Sequence, residues 1–261
     1  MRGMSGVLQG RTAWITGAGS GIGRAIALAF AGAGAGVALT GRRADALAET
    51  AAMVRGQGGT AAEITADVTD PAAVEDAHRR VVAALGAPGI LVNNAGGNAR
   101  RRHWRHLQPS DMGWVLDVNL RGPFLCSLAV LPAMRERREG LLIHVASLAG
   151  TAVFVPSGPA YVAAKHGARA MSASINAEEG IHGIRSVCIN PGEVATPILD
   201  SRPRPPTSQE RASMVQPEDV AACALFAASL PARTCLADML VIPTDNQQHR
   251  AAAQEIERLG D

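Results

Sequence analysis

Tyrosine and lysine are almost missing from this chain. Among 261 residues there is one tyrosine, Tyr161, and one lysine, Lys165; every other basic side chain among the 25 is arginine. Charge of one sign is also scarce: charged residues make up 18%, and the net charge is only +2. That balance argues against a dedicated nucleic-acid binder. The four cysteines, Cys126, Cys188, Cys223 and Cys235, show neither CxxC pairing nor zinc spacing. Reduced thiols in a cytoplasm are the expectation. The opening MRGMSGVLQGRTAWITG contains no long apolar segment of the signal-peptide kind. No uncharged apolar run reaches the roughly 20 residues of a membrane span. Against this background YVAAK, residues 161–165, stands out. Four positions is about one helical turn, so phenol and ammonium share a helix face. Either composition placed them there by chance, or the chemistry requires the pair.

What is present is an alternation. Short apolar runs at 12–16, 36–40, 60–65, 89–94, 140–146, 183–189 and 238–243 read as strands, and helical patterns separate them. One long helical stretch, 109–137, is expected to break at Gly122–Pro123. Near-continuous apolar strands separated by helices imply an α/β fold: a doubly wound, Rossmann-type parallel sheet of about seven strands, helices on both faces. The whole chain, 1–261, reads as one domain. A Pro-rich polar segment around 198–215 reads as either a lid or a plain surface loop.

Ligands of such sheets bind beyond the carboxyl ends of the strands. After the first strand comes TGAGSGIG, residues 16–23. Gly17, Gly21 and Gly23, with Ser20 and Ile22 between them, suit a turn that brings backbone N–H groups to a pyrophosphate. After the second strand, Gly41-Arg42-Arg43 replaces the acid that often holds the adenine ribose. Arg42 is therefore either part of a solvated pair or a partner for a 2′-phosphate. That reading favours NADP(H), with NAD(H) the alternative. Asp67 and Val68 follow the third strand, Asn93 to Gly97 the fourth, Ser147 the fifth, and NPGEVATP, residues 190–197, the sixth.

In this order TGAGSGIG, NNAG, Asn119 in DVNL, Ser147, YVAAK and NPGEVATP resemble the short-chain dehydrogenase/reductase family over about residues 8–245. The resemblance implies hydride transfer between a nicotinamide cofactor and an alcohol or carbonyl. It implies Tyr161 as acid/base, Lys165 as its pKa partner and ribose ligand, Ser147 on the substrate oxygen, and Asn119 holding a water. Asn94, Ala95 and Gly96 are implied at the adenosine ribose, and Asp67 and Val68 at the adenine. Pro191, Gly192, Val194 and Thr196 are implied at the nicotinamide end. QPEDVA, SLP and VIPT are similar to a branch of NADP-dependent 3-hydroxy acid and serine dehydrogenases. A homotetramer or dimer is implied as well.

A free phenol is a poor base at neutral pH, and an ammonium within reach is expected to lower its pKa. Substrate contacts are expected from Asn98, Trp104, Ser147 and Ser157. The basic run 99–106 reads as a solvated loop, or as a contact for a hydroxy acid or other small anionic substrate; nucleic acid is the least favoured reading. His103 and His106 lack further ligands, so no metal is expected. Ser147 is not in a GxSxG elbow, which argues against hydrolysis. A dinucleotide-binding regulator or scaffold without turnover is the alternative function.

Overall fold

The computed structural model describes residues 6–201, 205–245 and 254–258. Seven parallel strands form one sheet: β1 Thr12–Thr16, β2 Gly36–Gly41, β3 Thr60–Thr65, β4 Ile90–Asn93, β5 Gly140–Val145, β6 Ile184–Pro191 and β7 Asp238–Val241. Their order is β3-β2-β1-β4-β5-β6-β7. The chain therefore reverses direction across the sheet between β1 and β4, the crevice where a doubly wound sheet takes its ligand. Every residue of β5 and of β6 is buried, the polar His144, Arg185, Ser186 and Asn190 included, whereas the edge strand β7 alternates between exposed and half-buried.

The helices α1 Gly21–Gly32, α2 Ala44–Gly56, α3 Pro71–Leu85, α4 Pro109–Leu116, α5 Gly122–Arg137, α6 Pro159–Glu179, α7 Ser208–Ala212 and α8 Pro217–Ser229 fill the connections. One face of the sheet packs Ile15, Leu39 and Val92 against Ile26 and Phe30 of α1 and Val220 and Ala224 of α8. The other face packs Trp14, Leu91 and Leu142 against Val81 of α3, Val130 and Met134 of α5, and Met171 of α6. Trp14 is fully buried and donates its indole N–H to Thr40 Oγ1 at 2.8 Å, which satisfies its single polar atom. The run from Pro109 to Arg137 is apolar and long enough to cross a membrane by length and composition. In the structure Cys126, Val130, Leu131 and Met134 of this run are core residues.

The expected break at Gly122–Pro123 is not there. Pro109 to Arg137 is one continuous rod, and its irregularity lies one turn earlier, a π-turn at Asp117–Arg121. Gly122 N–H bonds the Asp117 carbonyl five residues back. The physical reason is the ring of Pro123, which cannot donate to the Asn119 carbonyl and clashes there. Widening the preceding turn relieves the clash without stopping the helix.

Candidate active site

The carboxyl edge of the sheet opens into a cavity of about 1100 Å³. Gly17, Ser20, Gly21 and Ile22 form one end of its floor, and Arg42, Asp67 and Val68 form a second stretch. Asn94, Ala95, Gly96, Asn119, Ser147, Tyr161 and Lys165 line the middle, with Pro191, Gly192, Val194 and Thr196 opposite. Asn98 and Ser157 are on the wall too. Two of the sequence-derived residues are not. Gly23 is buried under the turn, where a side chain would collide with the Gly17 carbonyl and the Asn94 amide. Its part is to let α1 approach the turn. Trp104 is 81% exposed and off the wall, and its neighbours Arg100, Arg102 and His103 line the cavity instead. In this loop the aromatic side chain turns to solvent, while three of the basic residues reach the cavity wall.

The glycine turn is held by β4. Thr16 Oγ1 accepts from the backbone N–H groups of Asn94 and Ala95, both at 3.0 Å, and the Asn94 amide donates to the Thr16 carbonyl at 3.0 Å. Ser20 caps α1 with extended backbone, and its side chain makes no cap hydrogen bond. The first N–H groups of α1 therefore face the cavity without a side-chain acceptor, the arrangement that receives phosphate. Among the described residues neither Arg42 nor Arg43 has an ion pair, whereas nearby Arg24 is bonded to Gly19, Glu49 and Thr50. Asp67 closes a local turn by accepting from Thr69 N–H and Oγ1 at 3.0 and 2.9 Å. The same residue lines the cavity wall.

Asn119 is 1% exposed, and its side chain is fully engaged. The amide donates to the carbonyls of Gly97 at 2.7 Å and Val115 at 2.8 Å, and its oxygen accepts from Gly97 N–H at 3.3 Å. The side chain thus ties the π-turn to the loop after β4.

Tyr161 and Lys165 rise from α6, and Lys165 Nζ lies 5.4 Å from the Tyr161 ring centroid. The ammonium donates to the Val145 carbonyl at 3.0 Å. Ser147 ends β5, accepts from Ala149 N–H at 3.1 Å, and hydrogen-bonds Tyr161. The expected lowering of the phenol pKa is not what this site produces. Burial raises it, and the Ser147 hydrogen bond offsets the rise only in part. The ammonium sits over the ring rather than against the phenol oxygen, so its charge is not the dominant influence. Burial also brings Lys165 down to about 8.

Sequence reasoning missed His144. It lies 2% exposed on β5, its Nδ1 3.3 Å from the Asn93 amide. Burial and the nearby Lys165 charge push its pKa down to about 3. Nothing in the run LLIHV marks it as polar and buried; only register shows that it stands between Asn93 and Cys188.

The short-chain dehydrogenase family model matches residues 11–206. The chain belongs to the short-chain dehydrogenases. A curated relative from Thauera aromatica, the (2S)-[(R)-hydroxy(phenyl)methyl]succinyl-CoA dehydrogenase subunit BbsD, is 34% identical over 228 residues, 85% of this chain and 90% of that subunit. Oxidoreductase UcpA of Salmonella typhimurium is 34% identical over 196 residues, 75% of this chain and 74% of UcpA. Among solved structures, a metagenomic short-chain oxidoreductase in complex with NADP superposes with a TM-score of 0.79 at 29% identity, covering 91% of this chain and 99% of that one. An alcohol dehydrogenase from Thermococcus sibiricus, complexed with 5-hydroxy-NADP, gives 0.81 at 27% identity, with 91% and 98% covered. As a short-chain dehydrogenase this protein is an oxidoreductase acting on CH–OH groups, and its family uses a nicotinamide dinucleotide. The residues fit that group: a helix start without a side-chain cap bond, a glycine-rich turn and, among the described residues, two guanidiniums without an ion pair border one cavity.

Proposed function

We propose that the protein transfers hydride between NADP(H) and an anionic alcohol or carbonyl substrate, with Tyr161 as the acid/base. The observation that carries this reading is the meeting of Ser147, Tyr161 and Lys165 beside the glycine-turn cavity. The choice of NADP(H) over NAD(H) rests on Arg42 and Arg43, which end β2 where an acid is absent. A guanidinium fork matches a 2′-phosphate and has no carboxylate of its own to satisfy. The NADP complexes of two similar structures are in keeping with it.

When bound, the dinucleotide supplies or accepts the hydride. The α1 start and Arg42 would hold its phosphates, and Lys165 its nicotinamide ribose. Burial keeps the Tyr161 phenol protonated, which suits donation to an oxygen gaining negative charge. The Ser147 hydroxyl holds that oxygen against the phenol. The Lys165 ammonium keeps positive charge beneath the phenol as its proton leaves, and the Asn119 carbonyl offers a water from which a proton is restored. In the oxidative direction the same phenol must first be deprotonated, which burial opposes. Ile198, Leu199, Ser213 and Met214 line the cavity and would serve as the lid expected around 198–215, of which 202–204 lie outside the described residues. Exposed Phe124 and Leu128, one turn apart on α5, support self-association.

Fluorescence titration with NADPH and with NADH, followed by NADPH oxidation over a panel of ketones and aldehydes, tests the reading. Tight NADPH binding with turnover is expected. Tight binding with no turnover would favour a dinucleotide-binding regulator, and preference for NADH would overturn the part given to Arg42.

A further inference from the structure

The loop after β4 does not carry its arginines in equivalent ways. Arg101 is spent on Asp111, with its Nε and Nη2 at 2.8 and 3.3 Å from the two carboxylate oxygens. Arg100, on the cavity wall, has no ion pair among the described residues. Arg102 and His103 line the same wall. A solvated loop has no reason to divide its cations in this way.

The loop is also fixed against the helix that carries the phenol. The Asn98 amide donates to the Ser157 carbonyl at 2.8 Å. Gly158, at φ +76°, lies so close to the Arg102 carbonyl that a β-carbon there would collide with it. Gly158 precedes Tyr161 by three residues, a rise of about 5 Å along a helix. The backbone of Arg102 therefore lies against the residue that precedes α6, three positions ahead of the phenol. The cavity wall that carries Arg100 and Arg102 also carries the apolar side chains of Leu148, Phe154 and Pro156.

We infer that the substrate is an oxo acid, or the matching hydroxy acid, whose carboxylate is separated from the reacting carbon by an apolar spacer and is held by Arg100 and Arg102. The proposal rests on the oxidoreductase reading above and narrows its substrate. A carboxylate directly beside the carbinol would lie next to Ser147 and Tyr161, where the cation among the described residues is Lys165, already donating to the Val145 carbonyl. A carboxylate across the spacer meets two guanidiniums, whose planar forks take it in pairs of hydrogen bonds. Glu193 on the same wall lowers the local positive charge and favours a single negative charge over a doubly charged phosphate.

The test measures binding rather than turnover, so it does not depend on the chemistry. The enzyme saturated with NADP+ is titrated calorimetrically with 4-oxo-4-phenylbutyrate and with its methyl ester. The wild type is expected to bind the acid about tenfold or more tightly than the ester, as a charge-assisted pair implies. R100Q, R102Q and the double variant are expected to lose that difference while keeping their NADPH affinity. R100Q alters an exposed side chain, so it serves if R102Q melts early. Equal affinity for acid and ester, survival of the preference in the double variant, or no binding of the acid in the millimolar range would each overturn the proposal. Failure of the wild type to bind NADPH, or to reduce any carbonyl, would instead sink the broader reading and is measured separately.

Discussion

Lys165 holds its ammonium 5.4 Å from the centre of the Tyr161 ring while donating to the Val145 carbonyl of β5. The cation therefore belongs to the sheet as much as to the phenol. Tyr161→Phe removes the proton donor and leaves this anchor in place. Turnover is expected to fall about 10²- to 10⁴-fold, the usual worth of general acid catalysis, while NADPH affinity is retained. Steady-state rates and a fluorescence titration on one preparation check both halves. Near-normal turnover would remove Tyr161 from its role.

The pH profile follows from Lys165. Its pKa is drawn down to about 8, so the ammonium is present below that pH and lost above it. Carbonyl reduction, which also needs a protonated phenol, is expected to decline as pH rises through about 8. A kcat/KM profile flat to pH 10 would mean that the ammonium is not needed.

Cofactor choice is tested at Arg42 and Arg43. Replacing both with alanine is expected to weaken NADPH binding about 10- to 100-fold, the range of lost charge-assisted bonds, and to leave NADH nearly unchanged. Equal losses for the two cofactors would assign the pair to the pyrophosphate or to general charge.

His144 makes a prediction about stability. Its folded pKa of about 3 lies below the ordinary histidine value of 6.5, so the unfolded chain takes up the proton first as pH falls. Stability is unaffected above 6.5 and declines below it. By pH 5 the loss from this one group is about 2 kcal/mol. His144→Asn is expected to flatten the fall in melting temperature between pH 7 and pH 5. An unchanged slope would show that other groups govern acid unfolding.

Gly158→Ala probes the contact between the arginine loop and α6. A β-carbon at φ +76° against the Arg102 carbonyl costs about 1–3 kcal/mol of strain. The expected outcome is weaker acid substrate binding with unchanged NADPH affinity, read by calorimetry. Weakening of both would place the strain in the shared scaffold.

The sheet was legible in the sequence because its central strands are buried and read as near-continuous apolar runs, ILVN of β4 among them. The Gly-rich turn, Ser147 and the YVAAK pair were legible because each follows a strand or shares a helix face. The π-turn was not, because Gly-Pro signals a break equally well whether the helix stops or widens. Trp104 misled for a related reason: within a short irregular loop no period tells which side chains turn inward. The phenol's pKa was misjudged because spacing supplies the neighbour but not the desolvation, which here outweighs it. His144 was invisible because its significance depends on strand register.

The reversal of strand order between β1 and β4 divides the cavity by chain position. Gly17 through Val68 build the end proposed for the adenine and its phosphates; Asn94 through Asp245 build the end for proton transfer and substrate. At the cavity the two are tied by Asn94 and Ala95, which bond Thr16 and Gly17. Genetic recombination within α3 therefore exchanges one functional half for another at a seam that carries no site residue. A new cofactor preference can be grafted onto unchanged substrate chemistry, or the reverse, in a single crossover.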